Sequence, residues 1–175
     1  MKNLFLLLAF LVSLTFYSCQ KEKDLLESTF DRKMSIEERN KIRGDIAAKH
    51  PDTKYGLFCK GYGAMIKDNF DSASVYFNKA ISMLDQNDSK LFISELYGSK
   101  GAMSLKLTKF DDAVKEYTKA IDADPSKSTN YVGRAFGYAG TNNLEKGCQD
   151  LKKGMDLGDA TAKQLYEEKC MPANK

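Results

Sequence analysis

A repeat with a period of 34 residues occupies the second half of the chain and constrains its fold most strongly. The clearest copy covers residues 94–127, and its spacing recurs 40 residues earlier in 54–87 and 34 residues later in 128–161. A fixed period of this length indicates one supersecondary unit that is copied and stacked, because a short unit cannot bury its apolar face alone. The residues that set the period in the clearest copy are Tyr97, Gly101, Phe110, Ala113, Tyr117, Ala120 and Pro125.

Each copy of the repeat predicts two helices. In the central copy, Asp111 and Asp112 open the second helix, where negative charge stabilises a helix N-terminus. Ala113, Tyr117 and Ala120 then follow at i, i+4 and i+7, which places them on one helical face. The sequence therefore predicts a stack of helical hairpins.

The spacing resembles the tetratricopeptide repeat (TPR), in which small residues allow paired helices to approach closely. The resemblance implies an all-α fold: a TPR-like stack of helix–turn–helix repeats that forms a right-handed superhelix. It covers residues 54–161, with an N-terminal capping helix over 35–50 and a C-terminal capping helix over 162–171. Matching residues in the outer copies are Leu57, Gly61, Phe70, Ala73, Phe77, Ala80, Tyr131, Ala135, Leu144 and Leu151.

Two departures from the repeat pattern are visible. Six extra residues, 88–93, separate the first and second copies and should lengthen a helix or a loop. Gly147 and Gly154 replace alanines in the third copy, and each should weaken its helix by about 1 kcal/mol.

A capping box precedes the first repeat. Ser35-Ile36-Glu37-Glu38 should start a helix that runs to about Lys49, and His50-Pro51 should end it. The helix is either a degenerate half-repeat or an independent capping helix. Arg39 and Arg43 occupy its inner positions, which argues against the half-repeat.

The first residues read as an export signal. Residues 4–17 form an apolar run that is too short for a membrane span, which indicates a secretory signal peptide over 1–18. Ser18-Cys19 resembles the lipobox of bacterial lipoproteins, which implies lipidation of Cys19 and a place in the outer membrane, on the periplasmic side or the cell surface. Residues 19–34 are expected to form a flexible tether. The charged residues 20–24 resemble a surface-export signal, or they are simply part of that tether.

Charge and composition exclude several functions. The chain has 27 basic and 24 acidic side chains, and this near balance does not suggest a nucleic-acid partner. His50 is the only histidine and adjoins a helix-ending proline, while Asp111 and Asp112, as sequence neighbours, face different sides of a helix. We therefore predict no enzyme, no cofactor and no small-molecule substrate.

The cysteines leave two alternatives open. An exported protein occupies a compartment that permits disulfides. Cys148 and Cys170 are expected at a helix interface, either as a bridge that pins the C-terminal cap or as two reduced thiols. Cys59 reads as a small buried hydrophobe, and no cysteine–histidine cluster suggests a metal site.

The TPR resemblance also implies a concave groove, lined by the first helix of each repeat. Its lining is largely apolar and aromatic, which suits an apolar segment or an amphipathic helix of a protein partner. The lysine and asparagine with which some members clamp a terminal carboxylate are absent. Alternatively, the N-terminal helix or another subunit fills the groove. The candidate contact residues are Tyr55, Phe58, Tyr62, Met65, Leu105, Val132 and Phe136.

These observations favour a non-catalytic binding or assembly module of the bacterial cell envelope, which captures a protein or peptide segment in the groove. The alternative is a structural spacer of a surface lipoprotein complex that acts through its convex face.

Overall fold

The computed structural model describes residues 20–31 and 33–171. The predicted signal peptide and Cys19 lie outside these ranges. Within them all regular structure is helical, as the repeat pattern predicts. The chain divides into two compact units, Met1–Met83 and Leu84–Lys175.

The described part of the first unit contains four helices. The first, α1, comprises residues 20–28. The other three are α2 (Ile36–Lys49), α3 (Lys54–Met65) and α4 (Phe70–Ser82). The capping box at Ser35 is present, with the Ser35 hydroxyl accepting from the Glu38 amide and the Glu38 carboxylate accepting from the Ser35 amide.

Residues 20–31 are packed on the first unit, whereas the sequence suggests a flexible tether. Leu26 and Thr29 are fully buried. Arg43 of α2 holds Thr29 in place, because its guanidinium donates to the Thr29 hydroxyl at 3.1 Å and to the Thr29 carbonyl at 3.3 Å. The few buried side chains of this segment stand among exposed charged residues, which is why composition alone suggests a tether.

The segment α1–α2 also falls in the register of the repeat. Gln20 stands 34 residues before Lys54, the first residue of α3. The helices α1 and α2 therefore form a degenerate repeat, of which α1 is the first helix and α2 the second. The capping helix expected from the sequence is its second helix.

Glu22 fastens α1 to the beginning of α3. Its buried carboxylate accepts a hydrogen bond from the Thr53 hydroxyl, and its second oxygen lies 3.7 Å from Nδ1 of His50. Gly56 allows the end of α2 to approach α3 closely at the same place, because a Cβ at that position would lie 1.8 Å from the His50 carbonyl oxygen. Burial raises the pKa of the Glu22 carboxyl above its ordinary value of 4.5, against the opposing effects of Thr53 and His50.

This raised pKa predicts a pH dependence of the first unit. Because the folded unit binds the Glu22 proton more tightly than the unfolded chain does, Glu22 adds stability below pH 4.5, and this contribution is lost as the pH rises through the folded-state pKa. Glu22→Gln should remove this contribution. The free energy of unfolding, measured by denaturation at several pH values, should therefore depend more steeply on pH in the wild type than in the variant above pH 4.5.

Asp24→Asn provides the matched control, since it neutralises an exposed carboxylate of the same helix. Identical pH profiles for wild type and Glu22→Gln would contradict the prediction.

The second unit contains five helices in the described residues. They are α5 (Lys90–Lys106), α6 (Phe110–Ala123), α7 (Ser128–Gly140), α8 (Leu144–Asp156) and α9 (Ala160–Lys169). Consecutive helices pack against each other from α5 to α9. Part of the extra segment 88–93 forms the first turn of α5, with Ser89 as its N-cap.

The turns within the hairpins share a backbone feature. Asp68, Thr108 and Asn142 adopt positive φ angles of 57°, 56° and 58° at the same register position of each repeat. Aspartate and asparagine tolerate this left-handed conformation, but a β-branched threonine does so at a cost.

Thr108→Gly should therefore stabilise the second unit by about 1 kcal/mol, because glycine adopts positive φ without steric cost. The midpoint of thermal unfolding should rise accordingly. Asn142→Gly is the matched control and should change little. A lower midpoint for Thr108→Gly would count against the steric explanation.

Gly154 in the third repeat has a packing role. A Cβ at this position would lie 2.8 Å from the Cβ of Ala162, which is fully buried in α9. Glycine at this position therefore lets α9 approach α8 closely, where sequence analysis predicts a loss of helix stability.

Candidate protein-docking cleft

The groove residues predicted in the first unit are largely buried. Phe58 is 0% exposed and packs against Phe30, Tyr62 and Phe77, with ring centroids 5.9, 6.3 and 6.1 Å apart. The expectation that Phe58 is open to a partner is therefore wrong. Phe30, just after α1, covers it.

Three further predicted residues of this unit belong to the same packed region. Tyr55 and Met65 are buried in α3. Tyr62 is half-buried, and the guanidinium of Arg43 lies 4.2 Å from its ring centroid. In the first unit, α1 and α2 thus cover the predicted groove, which corresponds to the alternative in which the N-terminal helix fills it.

The predicted residues of the second unit remain accessible. Leu105 and Val132 are half-buried, and Phe136 is 50% exposed. Val132 and Phe136 line an apolar cleft of about 350 Å³ between α7, α8 and α9. Leu105 does not line this cleft.

Two matching helical stripes form most of the cleft. Each stripe follows the spacing i, i+3, i+4, i+7, which places its residues on one helix face. The α7 stripe comprises Val132, Ala135, Phe136 and Ala139, and the α8 stripe comprises Leu144, Gly147, Cys148 and Leu151. The third wall comprises Leu165, Lys169 and Cys170.

A disulfide closes one side of the cleft. Cys148 in α8 is bonded to Cys170, the residue that caps the C-terminus of α9, with 5.5 Å between their Cα atoms. The structure thus contains the bridged form of the two cysteine alternatives. Cys59 stays outside the bridge, and burial raises the pKa of its thiol to about 12.

A partly buried ion pair joins α7 to α8. Arg134 donates from Nε and Nη2 to the two carboxylate oxygens of Asp150, each at 2.8 Å, and from Nη1 to the Thr118 hydroxyl at 3.2 Å. The hydrogen bonds to Asp150 raise the pKa of the guanidinium above its ordinary value. The pair was not found by sequence analysis, because it joins residues of two helices.

The cleft has an exposed apolar edge. Leu144 is 61% exposed and stands with Phe136 among the most exposed large apolar side chains. Adjacent exposed apolar side chains often mark an interaction site. Leu144 matches the repeat pattern in the sequence, but it is not among the predicted contact residues.

The described residues show no group of acidic, cysteine and histidine side chains that could hold a metal ion. None of the helices in 20–31 and 33–171 is both long and apolar enough to cross a membrane.

Comparisons with known proteins show which proteins the chain resembles. No protein-family model matches the chain. DnaJ homolog subfamily C member 7 of Homo sapiens is 30% identical over 93 residues, which are 53% of this chain and 18% of that protein. Heat shock protein STI1 of Saccharomyces cerevisiae is 27% identical over 108 residues, 62% of this chain and 17% of that protein. The chain thus spans less than a fifth of the length of these curated relatives.

Solved structures agree on the fold. The crystal structure of MamA protein has a TM-score of 0.55 at 18% identity, covering 78% of this chain and 70% of that one. MamA residues 41 to the end, from Desulfovibrio magneticus RS-1, give 0.56 at 18% identity, with coverages of 85% and 91%.

The predicted TPR-like, all-α fold is confirmed, since the relatives contain tetratricopeptide repeats and MamA is TPR-like. Such homologues imply a protein–protein interaction or assembly module, a class that is generally non-catalytic.

Proposed function

We propose that this protein is a non-catalytic binding module of the bacterial cell envelope, which captures an apolar segment of a partner protein in the cleft between α7, α8 and α9. The observation that carries the proposal is the cleft itself. Two apolar stripes face it, and Phe136 and Leu144 remain exposed at its edge. A helix with an apolar face fits such a groove.

The disulfide supports a place outside the cytoplasm. Bridges such as Cys148–Cys170 persist in oxidising compartments, including the bacterial periplasm and the cell surface. Together with the lipobox-like Ser18-Cys19, this supports lipid anchoring through Cys19 in the outer membrane. Because residue 20, the neighbour of Cys19 in the chain, is already part of α1, a lipid on Cys19 would hold the first unit close to the bilayer.

Site-specific crosslinking tests the docking function. A photoreactive residue at Ala139, which is exposed and lines the cleft, should crosslink in cells to an apolar segment of one envelope protein. Phe136→Ala should strongly reduce this crosslink. Val75→Ala is the matched control, because it truncates an exposed apolar side chain on α4 and should leave the crosslink intact.

The opposite result would be a Phe136→Ala variant that retains the partner and crosslinks to it only at positions outside the cleft. That result would overturn this proposal and favour a structural spacer that acts through the convex face.

Lipid labelling tests the anchor separately. Cells supplied with labelled palmitate should label the wild-type protein and not the Cys19→Ser variant. Protease digestion of intact cells, with lysed cells as control, then distinguishes the cell surface from the periplasm. Equal labelling of both forms would exclude Cys19 as the anchor.

A further inference from the structure

We infer that the cleft binds an amphipathic helix that carries an acidic residue beside its apolar face, and that Lys169 pairs with this residue. The inference rests on the proposed docking function and names the chemistry of the partner. Two observations support it: the charge of the residues that line the cleft and the arrangement of the α7 and α8 stripes.

Lys169 is the source of the charge complementarity. Of the described residues that line the cleft, Lys169 alone is charged. It also lines the neighbouring groove on the α8–α9 surface, which shares Leu144, Cys148 and Cys170 with the cleft. A partner that lies along either groove therefore meets this ammonium group.

Among the described residues, no acidic side chain serves as a counter-ion for Lys169. This lysine makes no hydrogen bond or ion pair within residues 20–31 and 33–171. The two preceding carboxylates are engaged elsewhere on α9, since Glu167 lies 4.0 Å from Lys163 and Glu168 accepts a hydrogen bond from Gln164 at 2.9 Å. The partial negative charge at a helix C-terminus favours a lysine in the last turn. Because Lys169 also lines the cleft, its ammonium group can pair with an acidic residue of a bound partner.

The stripes define the rest of the partner. The α7 and α8 stripes each extend from i to i+7, about 10 Å along a helix axis at 1.5 Å per residue. A partner helix that matches this length offers two turns of apolar side chains. An acidic residue on the flank of those turns would face Lys169, while the opposite face stays polar.

A displayed library of helices tests the inference. Each library member has fixed apolar residues along one face and random residues on both flanks. Selection uses the purified full chain, and binders that also retain the Phe136→Ala variant are removed. The remaining, cleft-dependent binders should be enriched at least about threefold in aspartate and glutamate at one flanking position, the scale of an exposed ion pair.

Charge variants provide the decisive comparison. Lys169→Gln should abolish the acidic enrichment, and Lys169→Glu should replace it with lysine and arginine. Lys163→Gln is the matched control, because Lys163 lies on the same helix and is not among the lining residues. This control should retain the acidic preference.

The outcomes separate the two proposals. Cleft-dependent binders without a charge preference would overturn the role of Lys169 and leave the docking function standing. Failure to recover any cleft-dependent binder would overturn both. Self-association of the wild-type chain that Phe136→Ala abolishes would identify a second copy as the occupant and overturn the inference.

Discussion

Phe58→Ala should destabilise the first unit by about 3–5 kcal/mol, the range for removing a large buried aromatic side chain. Phe58 is 0% exposed, and its ring contacts Phe30, Tyr62 and Phe77. Truncation removes the ring contact between Phe30, just after α1, and α3, and it leaves a cavity between α3 and α4. Urea denaturation, combined with hydrogen exchange of α3 amides, should show the loss of protection.

Val75→Ala serves as the control for this experiment, since Val75 is 52% exposed and its truncation should cost less than about 0.5 kcal/mol. A Phe58→Ala variant that keeps wild-type stability but loses partner binding would show that Phe58 is a contact residue after all.

Replacing both bridged cysteines should be the second large effect. The Cys148–Cys170 bridge spans a sequence separation of 22, and a loop of this size contributes about 3 kcal/mol when it is closed. The Cys148→Ser/Cys170→Ser variant should lower the free energy of unfolding of the second unit by about that amount. Because α9 forms one wall of the cleft, the variant should also bind cleft-dependent helices more weakly.

Treatment of the wild-type protein with a dithiol reductant gives a matched comparison without mutation, and it should reproduce both effects. Hydrogen exchange should show increased opening of α9 in each case, with α3 unchanged. Equal stability of the oxidised and reduced forms would mean that the α8–α9 contacts around Ala162 suffice without the bridge.

Part of the candidate site could be predicted from sequence. Val132 and Phe136 follow from the repeat register, and Cys148 and Cys170 follow from their places at an interface. Lys169 could not be found in this way, because a lysine in a last helical turn is common and its isolation depends on how Glu167 and Glu168 pair. The partly buried pair Arg134–Asp150 was missed for the same reason: each residue alone resembles a surface charge.

Which part of the groove is accessible could also be learned only from the structure. Phe58 and Phe136 both lie on the concave face in the repeat register, yet one is fully buried and the other is half exposed. The difference comes from α1 and the residue Phe30 that follows it, in a segment whose charged composition suggests a tether. No local pattern around Phe58 carries that information.

The sequence by itself determined the helices, their period and the side chains that share a helix face, since these depend on spacing over a few residues. The tertiary structure alone decided which apolar faces are covered. Phe30 covers the face of α3, whereas α9 leaves space beside Phe136 and brings Lys169 to its edge. Whether an apolar face is covered depends on contacts between residues that are distant in the chain, and the free energy of burial comes from those contacts.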